Sequence, residues 1–255
     1  MIPPGKVWLV GAGPGAADLL TLRAARLLAE AEVVLHDALV DEAVLALAPQ
    51  ARRVAVGKRA CRPSTAQRFI NKQIVDAARA HGTVVRLKGG DPMLFGRAEE
   101  EIEALEAAGI PWEVVPGVTA ASAAAAVLGR SLTRRGTARS VSFITPSVGE
   151  GEAPNHAWIE AARGTDTVAV YMGARQLPAL AAALVAAGKP AATPLATVAN
   201  ASLPQQRIWR GTLGSATEAV LEAGVPVMVL IGAPAQGRLE QAPGGAEPSA
   251  MEHAA

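Results

Sequence analysis

The residues best suited to chemistry lie in the segment Arg86-Leu-Lys-Gly-Gly-Asp-Pro-Met-Leu-Phe-Gly-Arg97. The β-branched pair at 84–85 before it predicts a strand that ends in a loop. Gly89 and Gly90 let the backbone approach a ligand without a Cβ in the way, and Asp91 offers oxygens to hydroxyl groups or to a cation. Because open α/β sheets bind ligands at the carboxyl ends of their strands, we expect a ligand-binding loop here.

Two other ionisable residues follow short apolar runs. Asp37 comes directly after the run at 33–36 and presents a carboxylate at a strand end, where sites are built. Lys58 follows the run at 53–56 and forms, with Arg59, a cationic corner that suits an acidic substrate. Spacing alone leaves two alternatives open, since Asp37 also fits a helix N-cap and Lys58 a solvated surface lysine.

The first glycine loop, Gly11-Ala-Gly-Pro-Gly15, admits a rival from another functional class. With Ala16 it satisfies the fingerprint G-x-G-x-x-A, and Asp37 stands about 20 residues further on, as in nicotinamide or flavin oxidoreductases. Pro14, however, occupies the loop where backbone donors would hold a pyrophosphate, and nothing downstream supplies a hydride-transfer apparatus. A purely structural tight turn is the remaining interpretation of this loop.

Five motifs occur in a fixed order along the chain. Besides 11–15 and 86–97, they are Gly57-Lys-Arg59, Val115-Pro-Gly-Val-Thr-Ala120 and Tyr171-Met-Gly173. In this order they resemble the uroporphyrinogen-III C-methyltransferases of the tetrapyrrole methylase family, which use S-adenosylmethionine. The resemblance extends from about residue 6 to about residue 233. Any one motif is weak evidence, whereas five in order are strong.

The resemblance implies roles for individual residues. It makes Asp37 the proton acceptor and Lys58 the proton donor. It places S-adenosylmethionine, and its product S-adenosylhomocysteine, in a cleft between two domains. The residues that match the family's cofactor contacts are Pro14, Gly89, Gly90, Asp91, Leu94, Thr119, Ala120, Met172 and Ala201. Without the family, Met172 would be interpreted as a core methionine.

Arginines are the predicted substrate contacts, because uroporphyrinogen carries eight carboxylates and a guanidinium binds a carboxylate bidentately. These contacts are Arg59, Arg62, Arg134 and Arg135. The last two belong to a cluster at 130–139, for which a charged interdomain hinge is the alternative. The family's L-T-H-R reads Leu132-Thr-Arg-Arg135 here, and its T-G-H reads Thr145-Pro-Ser147. Both departures fall where the tetrapyrrole would be held.

The activity implied by the resemblance is methylation of uroporphyrinogen III at carbons 2 and 7, giving precorrin-2 through precorrin-1 for siroheme or cobalamin synthesis. We expect no further dehydrogenase or ferrochelatase domain of the kind fused in siroheme synthases. A later precorrin methyltransferase is the alternative within the family, and a cofactor-binding protein without catalysis is the alternative outside it. The resemblance also implies a homodimer.

The fold class predicted from the pattern is α/β, with a mainly parallel N-terminal sheet and a mixed C-terminal sheet. In the first half, predicted strands are 6–10, 33–36, 53–56, 83–87 and 112–115, and predicted helices are 18–31, 64–80, 97–108 and 119–127. In the second half, predicted strands are 141–144, 167–171, 193–198, 207–212 and 227–231. We place α/β domains at 1–130 and 137–235, a mobile insertion at 146–154 and a disordered tail at 238–255.

Composition limits the possible functions of this 255-residue chain. Its apolar fraction of 50% and charged fraction of 18% argue against disorder. Its net charge of +1 gives no reason to expect nucleic acid as a partner. No uncharged apolar run reaches the ~18 residues that span a bilayer, and no secretory signal precedes the first motif, so we expect a cytoplasmic enzyme. One cysteine, Cys61, excludes an internal disulfide and a Cys-cluster metal site.

Overall fold

The computed structural model describes residues 4–56, 63–146 and 156–236. Within them the chain forms two five-stranded sheets. The strands of the first sheet are β1 (Lys6–Gly11), β2 (Val33–His36), β3 (Arg52–Ala55), β4 (Thr83–Lys88) and β5 (Trp112–Val115). The strands of the second sheet are β6 (Val141–Ile144), β7 (Thr167–Val170), β8 (Pro194–Ala199), β9 (Arg207–Thr212) and β10 (Val227–Gly232).

Seven α-helices in the described residues cover the faces of these sheets. They are α1 (Leu22–Glu30), α2 (Glu42–Leu45), α3 (Pro63–Ala80), α4 (Ala98–Ala107), α5 (Ala120–Val127), α6 (Ala157–Arg163) and α7 (Leu177–Ala186). Short 3₁₀ helices lie at Ala17–Leu19, Ala174–Gln176, Leu213–Glu218 and Ala233–Ala235. None of the helices described is long and apolar enough to cross a membrane.

The first sheet is entirely parallel, in the order β3-β2-β4-β1-β5. Helices cover both of its faces, as parallel sheets require. Val10 and Val85 contribute to one apolar layer with Leu28 of α1, while Leu9 contributes to the opposite layer with Leu105 of α4. This double burial explains why its central strands are almost continuously apolar.

The second sheet is mixed, in the order β6-β7-β10-β8-β9. Strand β10, the last of the described strands, lies at its centre and runs antiparallel to both β7 and β8. Its Val229 packs with residues of α6 and α7, whereas its Leu230 packs with α5 on the other face. One parallel and one mixed sheet confirm the predicted fold class, while the domain bounds stay a prediction.

Helix α5 belongs in sequence to the first half but packs on the second sheet. Ala121 and Ala124 are fully buried and contact a layer that includes Ala169, Ala196 and Leu230. The short alanine side chains let this helix approach the sheet closely. The sequence predicted a helix at 119–127, and the structure confirms it at Ala120–Val127; its packing on the second sheet was not predicted.

The sequence prediction was wrong or incomplete for several helices. Helix α1 begins at Leu22 rather than at Asp18, because the Thr21 hydroxyl accepts a hydrogen bond from the amide of Ala24 (3.1 Å) and caps the helix there. Helices α2, α6 and α7 were not predicted. Helix α7 is apolar on nearly all sides, so it has no polar stripe to mark a helical period. The predicted insertion at 146–154, apart from Pro146, and the predicted tail at 238–255 lie outside the described residues.

Candidate active site between the two sheets

The predicted site residues follow the carboxyl ends of strands in both sheets. Strands β1, β2, β4 and β5 are parallel, so their following loops share one edge. Strands β7 and β8 are both antiparallel to β10 and therefore parallel to each other, so their loops share an edge of the second sheet. These loops contain Pro14 (after β1), Asp37 (after β2), Gly89, Gly90, Asp91 and Leu94 (after β4), Thr119 and Ala120 (after β5), Met172 (after β7) and Ala201 (after β8).

The two edges face each other. The backbone amide of Ala16 donates a hydrogen bond to the Ser202 hydroxyl at 3.1 Å. A Cβ at Gly15 would lie 2.9 Å from the side chain of Leu203. The Thr119 and Tyr171 hydroxyls are 2.6 Å apart. Loops from distant parts of the sequence therefore meet at one place, as the predicted cleft requires.

Three loops of the first sheet cross in direct backbone contact. Gly13 and Gly90 exchange two hydrogen bonds, of 3.2 Å and 2.7 Å. A Cβ at Gly11 would lie 2.6 Å from the Cα of Gly117, and a Cβ at Gly117 would lie 2.3 Å from the carbonyl oxygen of Gly90. A side chain at Gly11 or Gly117 would therefore collide with backbone, which explains why glycine occupies these two positions.

At Gly89 and Gly90 the direction in which a Cβ would point is open, unlike at Gly11 and Gly117. A Cβ at Gly89 would find its nearest neighbour, the Cβ of Leu39, at 3.9 Å. A Cβ at Gly90, whose φ is +67°, would meet nothing within 4 Å. The backbone of this loop is therefore exposed to a space in which a ligand can contact it directly.

Asp91 joins the loop after β4 to the loop after β5. Its Oδ1 accepts a hydrogen bond from the amide of Met93 (2.8 Å), and its Oδ2 accepts one from the amide of Gly117 (3.0 Å). The carboxylate therefore shapes the loop itself. The predicted contact of Asp91 with a cofactor would use lone pairs that remain on the same two oxygens.

Left-handed backbone conformations are concentrated in the loops at these edges. Among the described residues other than glycine, those with positive φ are Phe95 (53°), Arg97 (55°), Met172 (55°), Asn200 (48°) and Ser202 (73°). They flank or include Leu94, Met172 and Ala201, the predicted contacts from these three loops. Each such conformation costs about 1 kcal/mol or more and persists where the surroundings enforce it, which is common at ligand sites.

Tyr171 connects both halves of the chain, a role the sequence did not reveal. Its hydroxyl oxygen accepts a hydrogen bond from the amide of Ala121 (3.3 Å), in addition to its contact with Thr119. Its ring lies 5.0 Å from that of Phe95 and 6.2 Å from that of Phe143, measured between centroids. Tyr171, which precedes Met172 in the chain, is thus fixed to the start of α5.

We expect the phenol of Tyr171 to ionise above pH 10.0, because burial raises its pKa although its hydrogen bonds act in the opposite direction. Since the folded-state pKa is raised, the stabilisation from this group is complete below the unfolded-state pKa and is lost as the pH rises through the folded-state value. Tyr171 is the only tyrosine, so tyrosinate absorbance reports it directly. A midpoint no higher than that of the urea-unfolded chain would contradict the buried link.

Asp37 is held at the mouth of the site. Its side chain is 35% exposed, and its Oδ1 accepts a hydrogen bond from a terminal nitrogen of Arg86 at 2.5 Å. The alternative that Asp37 caps a helix is wrong, because the N-cap of α2 is Asp41, whose Oδ1 accepts from the amide of Ala43 at 2.9 Å. Asp37 is therefore available for chemistry.

Arg86 connects Asp37 to a group of buried charged side chains that the sequence patterns did not reveal. Arg86, Lys88 and Glu101 are all buried and linked by salt bridges. Burial lowers the pKa of Lys88, and the Arg86 guanidinium lowers it further, whereas Glu101 acts in the opposite direction. The sequence did contain a signal for this group. Arg86 and Lys88 are two cations in one strand of a sheet that is covered on both faces, and such strands are seldom charged.

The predicted arginines do not gather at this site in the described structure. Arg134 and Arg135 are exposed. Arg134 borders a cavity of about 270 Å³ that Asp166, Thr193 and Gly232 also line. Those three residues mark the edge of the second sheet opposite Met172. Lys58, Arg59, Cys61 and Arg62 lie outside the described residues.

The dinucleotide interpretation of the first glycine loop finds little support in the hydrogen bonds. The amide of Ala12 donates to the carbonyl of Lys88 (2.7 Å), that of Gly13 to Gly90, and that of Ala16 to Ser202. A pyrophosphate would need these same amides as donors, but they already donate to acceptors within the protein. The segment that follows is a 3₁₀ helix at Ala17–Leu19, not the start of an α-helix.

Comparisons with known proteins identify relatives of the whole fold. The family described as Tetrapyrrole (Corrin/Porphyrin) Methylases matches residues 6–217. A siroheme synthase of Pseudomonas fluorescens (strain Pf0-1) is 46% identical over 235 residues, which cover 91% of this chain and 50% of that protein. Siroheme synthase 1 of Cronobacter sakazakii is 44% identical over 231 residues, covering 90% and 49%. The chain thus spans about half the length of these relatives.

Solved structures give similar results. The uroporphyrin-III C-methyltransferase of Thermus thermophilus, solved with S-adenosylhomocysteine, is 41% identical with a TM-score of 0.77, covering 90% of this chain and 98% of that one. A cobalt precorrin-4 methyltransferase from cobalamin biosynthesis is 28% identical with a TM-score of 0.79, covering 91% and 96%. Both neighbours match nearly the full length of the chain.

Proposed function

The chain belongs to the tetrapyrrole (corrin/porphyrin) methylases, and we propose on that basis that it methylates uroporphyrinogen III at carbons 2 and 7 with S-adenosylmethionine. The product would be precorrin-2, formed through precorrin-1. The observation that carries the proposal is the meeting of six loops at the facing edges of the two sheets. Sequence identity favours this substrate over a later precorrin, since it is 41% to a uroporphyrin-III C-methyltransferase and 28% to a cobalt precorrin-4 methyltransferase.

The residues at the facing edges fit S-adenosylmethionine. Gly89 and Gly90 leave space against the backbone, and Met172 exposes 56% of its surface as a soft apolar contact for adenine. The Thr119 hydroxyl, already held by Tyr171, has lone pairs left for a polar group of the ligand. The remaining predicted contacts are Pro14, Asp91, Leu94, Ala120 and Ala201.

Bound there, S-adenosylmethionine supplies a methyl group already activated on a sulfonium. The protein therefore has to align the reacting pyrrole carbon with that methyl group and exclude water, rather than form a covalent bond. The left-handed backbones at Phe95, Met172 and Asn200 serve this alignment, because they fix the loops before the ligand arrives.

Proton transfer is assigned to Asp37. Its Oδ1 is engaged by Arg86, so Oδ2 is the oxygen that accepts a proton from the methylated pyrrole ring. Lys58 is proposed as the proton donor on the strength of the family motif. Arg59 and Arg62 are proposed to bind substrate carboxylates on the same basis.

Apolar side chains at the mouth of the site suit the faces of a macrocycle. Leu39 after β2 is 66% exposed, and Met93 and Phe95 after β4 are 55% and 39% exposed. A tetrapyrrole presents apolar ring faces and charged carboxylates at its rim. Exposed apolar residues beside Asp37 and Gly89 therefore support a large flat substrate.

The test is an incubation of the protein with uroporphyrinogen III and methyl-labelled S-adenosylmethionine without oxygen, followed by mass analysis of the tetrapyrrole. Gain of two labelled methyl groups is the expected result, and degradation to locate the label tests carbons 2 and 7. No gain with uroporphyrinogen III, but gain with later precorrins, would assign the chain to a later step. Binding of S-adenosylhomocysteine with no methyl transfer to any porphyrinogen would identify a cofactor-binding protein without catalysis.

The product would serve siroheme synthesis, cobalamin synthesis or both. Similarity to siroheme synthases extends over about half of those proteins, so it supports the methylation step and not their other reactions. We also propose a homodimer, for which the family is the support.

A further inference from the structure

We propose that Glu101 is a positioning residue for methyl transfer, because it fixes Arg86, which in turn fixes the carboxylate of Asp37. The inference rests on the proposed function in taking Asp37 as the proton acceptor. It concerns four side chains, Asp37, Arg86, Lys88 and Glu101, which we call the buried ion chain.

Glu101 is the centre of the buried ion chain. It lies on α4, and its side chain is completely buried. Its Oε1 accepts a hydrogen bond from Nε of Arg86 at 3.0 Å, and its Oε2 accepts one from Nζ of Lys88 at 2.9 Å. Both oxygens are thus engaged by cations from β4, which leaves the carboxylate no freedom to rotate.

Arg86 transmits this order to Asp37 through the planar geometry of its guanidinium. Nε donates to Glu101, one terminal nitrogen donates to the carbonyl of Leu87 at 3.1 Å, and the other donates to Oδ1 of Asp37 at 2.5 Å. Because the guanidinium is a rigid fork, fixing two of its nitrogens fixes the direction of the third. The position of Asp37 Oδ1 is therefore set from inside the domain.

Stability alone is a poor reason for the buried ion chain. Arg86, Lys88 and Glu101 each expose 3% or less of their side chains. Removing such charges from water is costly, and apolar residues of similar volume often stabilise a fold equally well or better. Within the buried ion chain only Asp37 reaches the surface, and it does so beside the open glycine loop. Placement of that carboxylate is the function that the arrangement serves.

A double-mutant cycle separates this role from a structural one. We expect Glu101→Gln to lower kcat about 10- to 100-fold, as misplacement of a reacting group does, with little change in the Kd for S-adenosylhomocysteine. In the background of Asp37→Asn, the same substitution should change kcat less than twofold, because the residue it positions is gone. An effect of equal size in both backgrounds would overturn the proposal.

Two further variants guard against misfolding. Glu101→Leu combined with Lys88→Met removes one charge of each sign, takes away the acceptor of Arg86 Nε and should show the same loss of kcat. Glu103→Gln makes the same chemical change at an exposed position of α4 and should leave kcat and Kd unchanged. Full kcat in the double variant would refute the positioning role.

A measurement without substrate distinguishes failure of this inference from failure of the proposed function. The carboxyl ¹³C resonance of Asp37, assigned by its absence in Asp37→Asn, should move in the Glu101→Leu, Lys88→Met protein and not in Glu103→Gln. If the wild-type protein methylates no tetrapyrrole but this resonance moves, the proposed reaction fails and the physical coupling stands. An unmoved resonance overturns the inference whatever the activity.

Discussion

Replacing Asp37 by Asn is expected to lower kcat for methylation of uroporphyrinogen III by about 100-fold or more, because general base catalysis contributes at least that much. The amide keeps the size of the side chain, so the loop after β2 keeps its shape. Its oxygen can still accept the hydrogen bond from Arg86, but its NH₂ group cannot accept a proton. The Kd for S-adenosylhomocysteine, measured by calorimetry, should change less than threefold.

Asp91→Ala is the matched variant, and we expect it to weaken cofactor binding, which Asp37→Asn should leave nearly unchanged. It removes the acceptors for the amides of Met93 and Gly117 and so loosens two loops at the predicted cofactor site. We expect a Kd for S-adenosylhomocysteine at least tenfold higher, since two hydrogen bonds to a charged group are lost. Equal effects of both substitutions on binding and on kcat would contradict this division of roles.

Replacing Gly117 by Ala is expected to reduce the free energy of unfolding by about 3 kcal/mol, as overpacking against rigid backbone does. The new methyl group would lie 2.3 Å from the carbonyl oxygen of Gly90 and 2.9 Å from the Cα of Gly11. No side chain can rotate away to relieve these contacts, so the loops after β1, β4 and β5 must separate. Chemical denaturation measures the loss, and binding of S-adenosylhomocysteine should weaken at the same time.

Gly89→Ala provides the control at a glycine of the neighbouring loop. Its methyl group would meet only the Cβ of Leu39, at 3.9 Å, which is an ordinary contact. The free energy of unfolding should therefore stay within about 0.5 kcal/mol of the wild-type value. Binding of S-adenosylhomocysteine should still weaken, because the methyl group occupies the space assigned to the ligand. Unchanged binding would show that the ligand does not approach the backbone at Gly89.

Local pattern was sufficient to predict the strands and the edge that carries the site. Most strands of the first sheet contain a short apolar run, and β2 at Val33–His36 and β5 at Trp112–Val115 agree with their predicted bounds. The rule that ligands bind at carboxyl ends then placed Asp37 and Gly89 at strand ends, whereas Thr119 was expected from the family resemblance. These inferences need only short-range information, namely short apolar runs and the turn residues that follow them.

Contacts between distant residues could not be predicted from such patterns. Tyr171 touches Thr119 across 52 positions, and Arg86 touches Asp37 across 49. Nothing in the local sequence of α4 marks Glu101 as buried, since it follows the equally acidic Glu99 and Glu100. Packing of α4 against the first sheet decides which of these acids faces inward.

The order of strands in the second sheet has a consequence for synthesis of the chain. Of the described strands, β10 is made last, yet it joins β7 to β8 at the centre of the sheet. A growing chain on the ribosome can complete the first sheet early, because all of its strands precede residue 116. Until Val227–Gly232 has emerged, the loops that carry Met172 and Ala201 have no common support. A chain cut short before β10 therefore carries the acid of the site without the opposite wall of the cleft.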